Sequence, residues 1–187
     1  MVKKVAVAAI ANNRVIGLRE KNEMPWRLNQ YANDPLWNDW KNPASLRAHD
    51  MKHFKELTKD YSLIMGKATW KSIPKSARPL KGRENHVISS TLQPVDGMYV
   101  HTSIDDALTQ IRDTSKNIIF MGGFGIYQEA MSRKLLDEIL ITRIHHDFVG
   151  DVLFPEITDQ YQQVSSKPFW THPVSNVQAT IDTYRPK

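Results

Sequence analysis

NIIFMGGFGIYQEAMS, residues 117–132, runs from an unbroken apolar stretch into a pair of glycines and then into a helical pattern. A continuous apolar run, unlike an alternating one, predicts a strand covered on both faces, as in a parallel sheet flanked by helices. The same order recurs where SLIMG (62–66) meets KATWKSI (67–73). Working outward, further strand-like runs lie at VAVAAI (5–10), HVISS (86–90) and EILITRI (138–144). Helical patterns cover 45–59, SIDDALTQI (103–111, with Ser103 as N-cap) and GIYQEAMS (125–132). Strands alternating with helices predict an α/β fold whose sheet has a largely parallel centre. HDFVGDVLF (146–154) and VQATIDTY (177–184) alternate more and predict antiparallel edge strands at the C-terminal side. NQYANDPLWNDWKNP (29–43), rich in asparagine and with Trp37 and Trp40 between two prolines, predicts an inserted, partly helical loop.

A chain of 187 residues is expected to form a single domain over 1–187, long enough to remove about 70% of its unfolded surface from water. With 41% hydrophobic and 24% charged residues, and no apolar run near the roughly 18 residues of a membrane span, no membrane association is expected. The N-terminal MVKKVAVAAIANN has lysines before a short apolar run but no small-residue cleavage site, so it reads as a first strand rather than a signal peptide, and a cytoplasmic location is expected. The absence of cysteine excludes disulfides, thiolate metal sites and cysteine nucleophiles. The net charge of +5 comes from basic residues that are scattered, not clustered, which predicts a solvated basic surface and no nucleic-acid partner. Such a mild positive field also steers small anions into a cleft.

LRAHDMKHFKEL (46–57) holds an anomaly. At about 100° per residue, Leu46, Asp50, His53, Phe54 and Leu57 share one face, while Lys52, Lys55 and Glu56 point away. Asp50 therefore lies in an apolar stripe. Desolvation disfavours a charged carboxyl group and raises its pKa, which suits it to proton handling near neutrality. The competing reading is a solvated aspartate near a helix start, favoured by the helix dipole.

Two glycine turns fail the familiar nucleotide fingerprints. MGKATW has Tyr61 where a P-loop needs its first glycine and Ala68 where it needs Ser or Thr. GGFGIYQ has Gln128 in place of the third glycine of a dinucleotide fingerprint. Each turn nevertheless ends a strand and opens a helix, so free backbone N–H groups and a positive dipole end offer a phosphate cradle, the alternative being an ordinary turn. His145-His146-Asp147 predicts no metal site, because adjacent strand residues face opposite ways and no third ligand is spaced to join them. Ser89-Ser90 lacks a nucleophile-elbow context.

NRVIG (13–17), NEMPW (22–26), DMKHFKELT (50–58), IMGKATWKSIP (64–74), RPLKGREN (78–85), VISS (87–90), FMGGFGIY (120–127), ITRI (141–144) and GDVLFPEI (150–157) occur in the order and approximate spacing of dihydrofolate reductase. The chain resembles that family over most of its length, least after residue 160. The resemblance implies a mixed, mostly parallel sheet of about eight strands with about four helices and an antiparallel C-terminal edge. It implies a monomer of folate and one-carbon metabolism, a target of antifolates, that passes a hydride from NADPH to dihydrofolate and makes tetrahydrofolate. The competing readings are a pyrimidine reductase of riboflavin synthesis with the same fold, in which MPW followed by D-x-x-x-F is not the pattern, and a non-catalytic basic binding domain.

By the same resemblance, Asp50 is the carboxylate of the pterin pocket, with Trp26 fixing a water near it, Met24 in the mobile loop and Thr142 hydrogen-bonding the network. Ala9, Phe54 and Ile73 are expected to line the pterin and benzoyl pocket, and Arg83 to clamp the glutamate α-carboxylate, which a guanidinium fork suits. For NADPH, the expected contacts are Ala9, Ile16 and Gly17; the turn Gly66, Lys67, Ala68 and Thr69; Ser89 and Ser90 at the 2′-phosphate; and Gly122, Gly123, Phe124, Gly125, Ile126 and Tyr127 around a cis Gly–Gly bond. Lys67 stands where arginine is common in the family, so a weaker preference for NADPH over NADH is expected. Trp26 and Asp50 are 24 positions apart where about five or six is usual, so 29–45 is mostly insertion, and Trp37 and Trp40 have three open roles: a lid, packing, or contact with another subunit.

Overall fold

The computed structural model describes residues 2–27, 31, 33–111 and 116–187. Among the described residues, ten strands and five α-helices follow in chain order: β1 (Lys4–Ala11), β2 (Val15–Gly17), α1 (Pro35–Asn38), α2 (Leu46–Leu57), β3 (Ser62–Gly66), α3 (Lys67–Ser72), β4 (Glu84–Ile88), β5 (Met98–His101), α4 (Ile104–Gln110), β6 (Ile118–Phe120), α5 (Phe124–Ser132), β7 (Glu138–Ile144), β8 (Val152–Leu153), β9 (Tyr161–Thr171) and β10 (Gln178–Pro186). Eight of the strands form one sheet in the order β5-β4-β3-β6-β1-β7-β10-β9, and β2 pairs with β8 in a small second sheet. The chain thus has the α/β architecture with a large, mostly parallel sheet that the alternating runs predict.

The residues fall into two compact units, Met1–Val7 with Thr58–Ile139 and Ala8–Leu57 with Leu140–Lys187. In the first, β1, β6, β3, β4 and β5 pair in parallel. Leu63, Ile64 and Met65 of β3 and Ile119 and Phe120 of β6 are fully buried, which accounts for their unbroken apolar runs. Ser103 caps α4 by accepting from the Asp106 N–H at 3.1 Å.

In the second unit, β9 and β10 form a long antiparallel pair with two register shifts. The expected C-terminal strand 177–184 is β10. The expected strand 146–154 is corrected: only Val152–Leu153 is extended, and it pairs with β2 rather than joining the sheet's edge. Asn13 holds this segment as a loop, its side-chain amide donating to the Phe148 carbonyl at 2.8 Å. Strands β5 and β9 were not expected. β9 carries Pro168 and is mostly exposed, as an edge strand allows, so its sequence lacks an apolar period.

The segment read as an insertion holds the short helix α1, and its residues 29, 30 and 32 lie outside the described ones. Trp37 is 4% exposed within a core cluster that includes Trp26, Leu46, Phe148 and Trp170, whereas Trp40 is 59% exposed. Of the three open roles, Trp37 therefore takes packing. Among the described residues no helix is long and apolar enough to cross a membrane.

Candidate active site

The second unit carries the acid. Helix α2 buries Leu46 completely, leaves Asp50, His53, Phe54 and Leu57 half-buried and exposes Lys52, Lys55 and Glu56. This is the distribution the helical pitch requires. Strand β7 presents Thr142, 6% exposed, whose hydroxyl donates to Asp50 Oδ1 at a long 3.4 Å. Asp50 keeps some access to solvent as a residue, but its carboxyl group is deep enough for desolvation to prevail. Burial pushes its pKa from 3.8 up to about 6, against the smaller opposing effects of the Arg27 charge and the Thr142 hydroxyl.

Arg27 was missed in the sequence. It ends the turn Pro25–Arg27, directly after Trp26, and is itself held below the ordinary arginine range, chiefly by burial and then by the charge of Arg47. The Nε atoms of Arg27 and Arg47 are both buried with no hydrogen-bond partner among the described residues. Arg47 carried a legible signal, because it lies three positions before Asp50 on one helix face. Arg27 carried none, because the long intervening segment hides its proximity. Trp26 is 2% exposed with its ring 5.7 Å from that of Phe148 in an edge-to-face arrangement. Met24 and Ala9 are half-buried and pack on the same cluster. Ile16 and Gly17 lie on β2, held opposite β8, and the Leu18 N–H donates to the Glu23 carbonyl at 2.9 Å, closing the loop that leads to Met24.

The first unit carries the two glycine turns, and the structure brings them together. The Gly66 N–H donates to the Gly122 carbonyl at 2.7 Å, and the Gly122–Gly123 peptide is cis. Gly122 has φ +107, and a Cβ there would meet Tyr127 Oη at 3.1 Å and Thr69 Oγ1 at 3.3 Å, so only glycine fits. Gly123 caps α5 without any side-chain bond, and the adjoining Phe124 and Gly125 are exposed. Helix N-terminal amides in this setting suit a phosphate. Ile126 and Tyr127 are buried, the latter donating its hydroxyl proton to the Val7 carbonyl at 2.7 Å. Lys67 Nζ donates to Thr91 Oγ1 at 2.5 Å, and Ser89 Oγ accepts from the N–H groups of Thr91 and Leu92 at 3.2 and 3.1 Å. Lys67, Ser89 and the exposed Ser90 thus flank one turn, and Thr91, missed in the sequence, links them. Ala68 is exposed and Thr69 half-buried. The donors present fit a phosphorylated dinucleotide.

Also in this unit, Ile73 is half-buried and closes α3, its N–H bonding the Trp70 carbonyl. Arg83 is anchored by Nε to Thr58 Oγ1 at 2.8 Å and by Nη1 to the Lys81 carbonyl at 2.8 Å, and burial holds its pKa down against the charge of Asp60.

Comparison with known proteins agrees with this geometry. Residues 38–185 match the family model for dihydrofolate reductase. The chain is 35% identical over 150 residues to a dihydrofolate reductase of Buchnera aphidicola, covering 80% of this chain and 77% of the relative. It is 33% identical over 165 residues to that of Mus musculus (81% and 78%) and 29% identical over 170 residues to that of Drosophila melanogaster (88% and 86%). With a match across most of its length, an acid set in an apolar helix face and paired glycine turns, the chain belongs to the dihydrofolate reductase family.

Proposed function

We propose that the chain reduces 7,8-dihydrofolate to 5,6,7,8-tetrahydrofolate with NADPH, residues 1–187 acting as one monomeric catalytic domain in the cytoplasm. The observation that carries this reading is the buried Asp50 carboxyl, raised to about 6, in a chain of this family. A bound reduced nicotinamide supplies the hydride, which adds to carbon 6 of the pterin while nitrogen 5 takes a proton. Asp50 supplies the acidity for that proton, and Thr142 orients its carboxyl. Trp26 fixes a water near the acid, and Met24 belongs to the loop over the reacting rings, whose closure excludes bulk water and so strengthens the electrostatic interactions inside the site. Ala9, Phe54 and Ile73 contribute apolar surface for the pterin and benzoyl rings, and Arg83 takes the glutamate carboxylate.

On the cofactor side, Gly122 through Tyr127 and the turn Gly66–Thr69 hold the diphosphate, and Lys67, Ser89 and Ser90 surround the 2′-phosphate. Ile16 and Gly17 contact the nicotinamide half. Lysine brings charge to the 2′-phosphate without a planar fork, so discrimination against NADH is reduced.

The test is oxidation of NADPH, followed at its absorbance band, with dihydrofolate as acceptor. Wild-type turnover is expected, and Asp50→Asn should lower it about 100-fold or more near pH 7 while NADPH affinity is kept. Wild-type protein that binds NADPH yet leaves dihydrofolate unreduced would rule the reading out.

A further inference from the structure

The segment read as an insertion is stapled within the second unit at both ends. Near its start, Tyr31 Oη lies 2.8 Å from His146 Nε2, and Asp34 caps α1 through the Leu36 N–H at 2.8 Å. His172 Nδ1 accepts from the Val174 and Ser175 N–H groups at 3.2 and 3.1 Å. Its proton therefore sits on Nε2 and is donated to Asp34 Oδ2 at 3.3 Å. At the far end, Ser45 is fully buried; its hydroxyl donates to the Asp39 carbonyl at 2.6 Å and accepts from the Ala48 N–H at 3.0 Å. That second bond caps the helix carrying Asp50. Trp170 Nε1 donates to the Ala44 carbonyl at 2.8 Å, and Arg47 Nη1 reaches the Asn38 carbonyl at 3.1 Å.

Trp37 stands between these staples. Its ring lies 5.5 Å from Phe148, 5.6 Å from Trp170 and 5.2 Å from His172, and Phe148 in turn meets Trp26 at 5.7 Å. Trp37, Trp26 and Leu46, four positions before Asp50, belong to one buried cluster. Side chains so tightly packed transmit displacement rather than absorb it.

We infer that Trp37 is a positioning residue for the reduction: through Phe148 it fixes Trp26, and through Leu46 and the capped first turn it fixes the helix bearing Asp50. The inference rests on the function proposed above. Residue 37 touches neither substrate nor cofactor in this role. The insertion is then a brace built into the acid's support, not a cover over the pocket.

The experiment uses the full chain with Trp37→Ala, Trp37→Leu and Trp37→Phe, normalised to active sites by tight-binding inhibitor titration. Hydride transfer is followed in single turnovers across pH, alongside KM for dihydrofolate and Kd for NADPH. Expected for Trp37→Ala is at least a tenfold loss of the hydride-transfer rate at pH 7, because small misplacement is amplified in rate. A displaced apparent pKa, nearly unchanged NADPH Kd and substantial recovery in Trp37→Phe should accompany it. If Trp37→Ala does not fold, Trp37→Leu gives the same comparison with most of the volume retained. Full rate per active site with an unmoved pKa would make Trp37 a purely structural residue and overturn the inference. So would a raised KM with an unaltered rate, the outcome for a lid. Inactive wild-type protein would overturn the proposed function instead, so the two failures are distinguishable.

Discussion

Burial makes Asp50 bind its proton more tightly in the folded chain than in the unfolded one, and the sign of that difference is measurable. With a folded pKa of about 6 against 3.8, the folded state holds more protons between these values, so this residue's contribution falls as pH rises through the window and is absent above it. The rise corresponds to about 3 kcal/mol. Asp50→Asn, which has no charge to desolvate, should therefore be more stable than wild type at pH 8, by up to about 3 kcal/mol, and lose that advantage near pH 3. Urea denaturation at the two pH values checks this, and equal differences at both would contradict it. Arg27 opposes the upward shift, so Arg27→Gln should move the apparent pKa of hydride transfer upward. A pH–rate profile gives the answer directly. Asp50 was legible because it breaks an apolar stripe, a local property of a helix. Arg27 was not, because it lies 23 positions from Asp50 and no local period links them.

Among the elements, β4 and β5 are joined by a buried imidazole pair, with His86 Nδ1 2.9 Å from His101 Nε2. His86 Nε2 faces Glu84 at 3.5 Å, a carboxylate that also meets Lys116 at 3.5 Å, while His101 Nδ1 faces Asp106 at 3.7 Å and Tyr99 stacks on His86. Two neutral rings can share one N–H, but two imidazolium rings would oppose N–H to N–H. Burial holds both pKa values below the ordinary 6.5, with the neighbouring ring adding to the effect at His86. The unfolded chain thus takes up protons first, and this contribution to stability is complete above pH 6.5 and lost as pH falls below it. His101→Gln should flatten the slope of unfolding free energy as pH falls below 6.5. Comparing variant with wild type cancels the opposite slope from Asp50.

At β2 and β8, a Cβ on Gly150 would collide with Val15 Cγ1 and come within 2.6 Å of the Gly17 carbonyl oxygen. Gly150→Ala should cost about 1–3 kcal/mol and part this small sheet, seen as a lower urea midpoint. Element existence was legible where burial on both faces gives continuous runs, as in β3 and β6. It was not for β5 and β9, whose edge positions free them from that pattern, nor for 146–154, whose alternation is that of a loop pinned by Asn13.

For the molecule as a whole, a net charge of +5 and the two anionic ligands of the proposed reaction predict association assisted by a long-range field. Raising ionic strength from about 0.02 to 0.5 M should lower kcat/KM for both NADPH and dihydrofolate, since the Debye length shrinks to a few Å. A salt-independent kcat/KM would show that only local contacts act.

What the chain determined by itself was whatever depends on neighbours in sequence: the α/β class, the glycine turns after apolar strands, and an acid on the wrong face of a helix. These follow from backbone periods of about 3.6 and 2 residues, which need no tertiary information. Tertiary structure decided which distant residues meet: Arg27 with Asp50, Thr91 with Lys67, His86 with His101, and Trp37 with the cluster around Trp26. Such meetings arise from long-range packing of surfaces, and a single sequence holds no periodic signal for them.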